Sequence, residues 1–112
     1  MSLASNIIQH NGEFDLVSFT YRMEGASIEF LCDFGDKQTS NRKLSKLLAK
    51  VLSGTTYTIS SNGNDGEVEI EHDGGRINFS VKSYGSVRGC LSVSLAAEAC
   101  ILALENAISE TS

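Results

Sequence analysis

Residues 67–95 read EVEIEHDGGRINFSVKSYGSVRGCLSVSL, three alternating runs separated by two turn signals. In the first run Val68, Ile70 and His72 fall on one side and Glu67, Glu69 and Glu71 on the other, the period of two expected of a half-buried strand. Asp73-Gly74 is a strong two-residue hairpin signal. Closing the turn there pairs His72 with Gly75, Glu71 with Arg76, Ile70 with Ile77 and Val68 with Phe79, so apolar meets apolar and acid meets base. A slip of one residue would destroy both matches. Beyond Val81, Ser83-Tyr84-Gly85 predicts a three-residue loop with Gly85 in the left-handed position. That closure sets Val81 against Val87, Phe79 against Gly89 and Ile77 against Leu91, with Val93 and Leu95 continuing the inward row.

The same alternation occurs earlier in the chain. Val17, Phe19, Tyr21 and Met23 share one face, as do Ile28, Phe30, Cys32 and Phe34. A tight turn at Glu24-Gly25 pairs Met23 with Ala26, Tyr21 with Ile28, Phe19 with Phe30 and Val17 with Cys32, leaving Glu29 and Asp33 on the opposite face. After Gly35-Asp36 the period changes: Leu44, Leu47, Leu48, Val51 and Leu52 follow helical spacing, from Ser40 as N-cap to Gly54 as the residue past the end. Tyr57 and Ile59 then face inward on a strand set against Ile70 and Val68, with Thr58 beside Glu69. The connecting Asn62-Gly63-Asn64-Asp65 is rich in oxygen ligands, but it lacks the spacing and distal glutamate of a calcium loop and reads as a turn. The chain closes on AAEACILALENAIS, a helix with a small-residue face of Ala96, Cys100, Ala103 and Ala107. Its larger residues, Ile101, Leu102 and Ile108, surround Glu98 and Glu105, so a single packed face cannot bury them all. Either the first helix or a second subunit is expected to take up the remainder. Residues 1–13 are polar and weakly patterned, an arm or an extra edge strand.

These elements predict one α+β domain over residues 1–112. The expected architecture is a six-stranded antiparallel sheet in the order ββαββββα, with both helices on one face.

Composition narrows the function classes. The chain has 112 residues, no proline and a net charge of −5, against about five or six prolines at average usage. Residues 37–50 hold Lys37, Arg42, Lys43, Lys46 and Lys50 and no acid, so the rest of the chain is strongly acidic. An acidic body disfavours nucleic acid and favours a basic partner. The stripe of Arg42, Lys46 and Lys50 reads as the solvated face of an amphipathic helix. Three cysteines, Cys32, Cys90 and Cys100, lie far apart without a C-x-x-C or Cys/His cluster, which predicts reduced thiols in a cytoplasmic chain and no zinc site. The start MSLASNIIQHNGE has no basic region ahead of its short apolar centre, and no run approaches the ~18 apolar residues of a membrane span, so neither a signal peptide nor a membrane segment is expected.

Catalysis needs convergent groups, and none can be named. His10 and His72 have no identifiable nucleophile or metal partner, and no hydrolase, zinc-protease or nucleotide-binding motif occurs. The reading is therefore non-enzymatic, without cofactor or metal. What remains is the outward face of the sheet, where Glu29, Asp33, Glu67, Glu69 and Glu71 accompany Thr58, Ser60, Arg76, Asn78, Lys82 and Arg88. Any antiparallel sheet has such a wet side, but Leu31 and Cys90 lie on this one, and glutamates two apart on a strand stand about 7 Å from each other, close enough to favour a cationic partner.

Two strands, a helix ending LAKVLSG, a meander containing EVEIEHDGGRINFSV and a closing LSVSLAAEACILALENAIS together resemble small bacterial immunity-type proteins, particularly those similar to the wall-associated toxin immunity family. The resemblance runs over residues 14–109 and implies a non-enzymatic cytoplasmic protein that binds and neutralises a cognate toxin. The expected function is a protein-binding module. It would use Glu67, Glu69, Glu71, Glu29 and Asp33 to engage a basic protein, such as a nuclease-type toxin. The alternative is a small acidic chaperone or assembly subunit that dimerises through the last helix and holds a client at a sheet edge.

Overall fold

A computed structural model describes residues 2–62, 66–84 and 89–112. The chain runs as a meander followed by a helix, twice: β1 (Ser2–His10), β2 (Glu13–Met23), β3 (Ala26–Cys32) and α1 (Lys37–Leu52), then β4 (Tyr57–Asn62), β5 (Gly66–Asp73), β6 (Arg76–Ser83), β7 (Gly89–Ala96) and α2 (Ala97–Glu110). The α+β class agrees with the sequence reading. The single six-stranded sheet does not: there are two antiparallel sheets, β1-β2-β3 and β4-β5-β6-β7. Alternation fixes which side chains face inward, but it carries no information about which edges meet after a helical crossover. Among the described residues no backbone hydrogen bond joins the sheets. Side chains join them instead. The Phe79 ring stacks on Phe30 at 5.0 Å between centroids and meets Phe19 at 5.8 Å, and all three are fully buried.

The additional strand, β1, comes from the weakly patterned start. Asn11 and Gly12, at φ 53° and 79°, form a two-residue turn closed by His10 opposite Glu13, and a positive φ at both positions is what the favoured hairpin turn requires. Leu3 and Ile7 pack against the core, and a bulge between Ile8 and Gln9 adjusts the register.

The β2–β3 register is as predicted, from Met23 opposite Ala26 to Val17 opposite Cys32. In the second sheet every register is displaced by an even number of residues. The β5–β6 turn is Gly74-Gly75, both with positive φ, so Asp73 opposes Arg76, Ile70 opposes Phe79 and Val68 opposes Val81. Glu71 faces Asn78, and the expected Glu71–Arg76 pair does not form. Ile59 opposes Ile70 and Tyr57 opposes His72, a shift of two residues from the expected pairing. Phe79 opposes Val93 and Val81 opposes Leu91, a shift of four. An even shift preserves the face of every side chain, so the inward set survives. Gly85, Val87 and Arg88, like Gly63, Asn64 and Asp65, lie outside the described residues.

Helix α1 starts earlier than expected. Asp36, not Ser40, is the N-cap, its Oδ1 accepting from the Thr39 N–H at 2.7 Å, and these contacts with Thr39 hold its carboxyl below the ordinary value. Ser40 is buried within the helix. The other end is as predicted: Gly54 at φ 72° lets its own N–H reach the Val51 carbonyl (3.1 Å) and that of Thr55 reach Lys50 (2.9 Å), which satisfies two terminal carbonyls. Asn41 Nδ2 donates to the Ile108 carbonyl at 2.8 Å and to Thr111 Oγ1 at 3.2 Å, tying α1 to the end of α2. Helix α1 packs on β2, β4 and β5, α2 on β1, β6 and β7, and the helices on each other. Leu44, Leu47, Val51, Cys100, Ala103, Leu104 and Ala107 fill the space between them and the sheets.

Candidate functional site

Where β3 passes the far ends of β5 and β6, the sheets leave a groove of about 490 Å³. Buried Phe30 and Val68 and half-buried Leu16 and Val81 give it an apolar lining, and Leu31, half exposed, stands beside them. Its charged residues are Glu29, Asp33, Glu67 and Lys82. Ser18 Oγ donates to Glu29 Oε2 at 2.8 Å, Asp33 Oδ1 accepts from the Gly35 N–H at 3.1 Å, and Glu67 lies 4.0 Å from Lys82 Nζ. An exposed ion pair of that length contributes roughly 0–1 kcal/mol, so it does little to hold either group away from a ligand. Three carboxylates against one ammonium leave the groove net negative.

Of the five carboxylates expected to act together, the structure therefore gathers Glu29, Asp33 and Glu67. Glu69 lines an adjoining hollow with Glu67, Ser80, Lys82, Cys90 and Ser92 on the outer face of the second sheet. Glu71 is half-buried and accepts from Asn78 Nδ2 at 3.3 Å, so its carboxylate is engaged within the sheet. Sequence reasoning missed Ser18 and Leu16. Leu16 lies out of phase with the inward row of Val17 and Phe19, as Leu31 does with Phe30, and these two off-phase leucines were the available signal.

The remaining candidates lie outside the groove. His72 is buried and donates from Nδ1 to the Thr55 carbonyl at 2.7 Å, pinning the segment ahead of β4. His10 is exposed beside the first turn. Lys46 and Lys50 stand 5.5 and 6.0 Å from the Tyr57 ring, and Lys43 stands 6.0 Å from Phe34, so part of the basic stripe is spent on aromatic faces. Burial pushes the Cys32 thiol up to about 12 and that of Cys100 up to about 11, whereas Cys90 is exposed. Among the described residues no cluster of three metal-ligating side chains occurs, and no helix is long and apolar enough to cross a membrane.

Residues 27–106 match the model of a family of unknown function, DUF5766. The chain belongs to that family. The matched segment runs from β3 into α2, so it contains all four charged residues of the groove and excludes β1 and β2. No curated protein and no solved structure matches the chain.

Proposed function

We propose that this member of DUF5766 is a protein-binding module that seats a basic segment of a partner in the groove beside β3. The observation that carries this reading is the convergence of Glu29, Asp33 and Glu67, from two different sheets, around an apolar cleft. Carboxylates at a rim steer and orient a cationic chain, and the apolar lining supplies contact area. The resemblance to immunity-type proteins supports a toxin as that partner, a nuclease-type toxin fitting the charge, and a cytoplasmic setting. An assembly subunit dimerising through α2 is favoured by one observation only, Leu102 at 68 % exposure. Ile101, its expected companion, packs partly into the core.

Calorimetric titration with the product of the neighbouring gene tests the groove. Replacing its carboxylates together (Glu29→Gln, Asp33→Asn, Glu67→Gln) should weaken binding by at least about tenfold, or roughly 1.4 kcal/mol, and reduce its salt dependence. Unchanged affinity in that variant, or an equal loss from Glu71→Gln alone, would remove the groove as the site.

A further inference from the structure

Among the described residues the second sheet ends at β7, which pairs there with β6 alone and reads GCLSVSLA, without a charge or a proline. Natural edge strands are protected by charges, prolines, bulges or short length. The other three edges each carry something of the kind: β3 has Glu29, β1 has its bulge, and β4 has six residues with Ile59 and Ser61 buried. On β7 the inward row is incompletely covered. Its partners Phe79 and Ile77 on β6 are fully buried, but Val93 and Leu95 are half-buried and Leu91 is 45 % exposed. Alternation in an antiparallel ladder directs the N–H and C=O of every second β7 residue away from β6.

We infer that this edge binds a second copy of the chain, β7 against β7, making one continuous eight-stranded sheet across a two-fold axis. The strand is self-complementary. Any antiparallel pairing whose residue numbers sum to an even value sets inward residues against inward residues, and the outward side offers Cys90, Ser92, Ser94 and Ala96, none of them charged. Among the described residues of the strand there is no charge to repel its copy despite the net charge of −5, and the glutamates of β5 stand two strands, about 10 Å, from the edge, roughly a Debye length at physiological salt. Arg76 fixes the register. Its guanidinium donates to the Ser94 carbonyl at 2.9 Å and to the Ser94 hydroxyl at 3.1 Å, so the C-terminal part of the strand is engaged and the open part is its beginning. A dyad through Leu91 sets Leu91 against Leu91 and Cys90 against Ser92. It brings together the most exposed apolar side chains of the edge and leaves the Arg76 contact intact. The pairing is isologous and closed, so it stops at two copies.

Light scattering on the purified chain tests this independently of the groove. The wild type should show twice the chain mass of 12.0 kDa at about 100 μM. Ser92→Lys, on the exposed outer side, and Leu91→Lys should each halve the observed mass with an unchanged circular dichroism spectrum, whereas Leu102→Lys on α2 should leave it doubled. A monomeric wild type, a dimer indifferent to Ser92→Lys, or a dimer lost through Leu102→Lys but retained in Ser92→Lys would each overturn the inference.

Discussion

Among the described residues the outer strands β3 and β7 each pair along one side only, yet they are dressed for different company. Beside β3 stand Glu29 and Asp33, with Glu67 across the groove. Along β7 there is no charge, and a leucine is exposed on the side facing the core. A carboxylated edge repels a second copy of an acidic chain and attracts a basic segment, whereas a neutral edge with an uncovered apolar row accepts its own image. On the two proposals made above, edge chemistry would divide two interaction surfaces within a single small fold, with Phe79 standing between the sheets that carry them.

The contrast can be broken at several points, beginning with an all-or-none effect. Cys32 on β3 is buried with its thiol pushed up to about 12, Cys100 is buried with its thiol at about 11, and Cys90 on β7 is exposed. A thiolate reagent at pH 8 should therefore titrate one cysteine quickly in the native protein and all three in denaturant. Fast reaction of Cys32 would mean that the β3 side opens as readily as the β7 side. Next in size, Phe79→Ala removes the ring that packs on Phe19 and Phe30 and should cost roughly 3–5 kcal/mol in urea denaturation, with both sheets lost in one transition. Two separate transitions would show that the sheets are independent units. Smaller still, Gly75→Val places a β-branched residue at φ 78° and should cost roughly 1–3 kcal/mol while leaving binding at the groove unaltered. The chain escapes that strain only by moving the turn to Asp73-Gly74, which amide exchange across β5 and β6 would reveal.

That last variant also indicates what was legible beforehand. The β2–β3 register could be read because Glu24-Gly25 is the single turn available between its strands, whereas Asp73-Gly74-Gly75 offers two turns that differ by a shift preserving every face. Hydrophobic pattern cannot choose between registers two residues apart, so the inward residues expected on β4, β5 and β6 keep their face while their partners change, Leu91 on β7 is exposed, and Val87 lies outside the described residues. The first hairpin went unread although Asn11-Gly12 is a strong signal, because Leu3, Ser5 and Ile7 alternate too weakly to mark a strand. Glu29, Asp33 and Glu67 were legible as outward carboxylates. Their meeting was not, since it depends on where β3 passes the ends of β5 and β6. Glu71 shares the alternation of Glu67 and Glu69, and only the cross-strand Asn78 sets it apart.

Both sheets list their strands in the order of synthesis, each next to the one made just before it. No strand has to slip between two that are already zipped together, and the first three-stranded unit is complete by Cys32, before α1 begins. On a ribosome these sheets can build strand by strand, one hairpin at a time, leaving the docking of the two finished halves around the Phe79 ring and its two partners as the step that waits for the last helix.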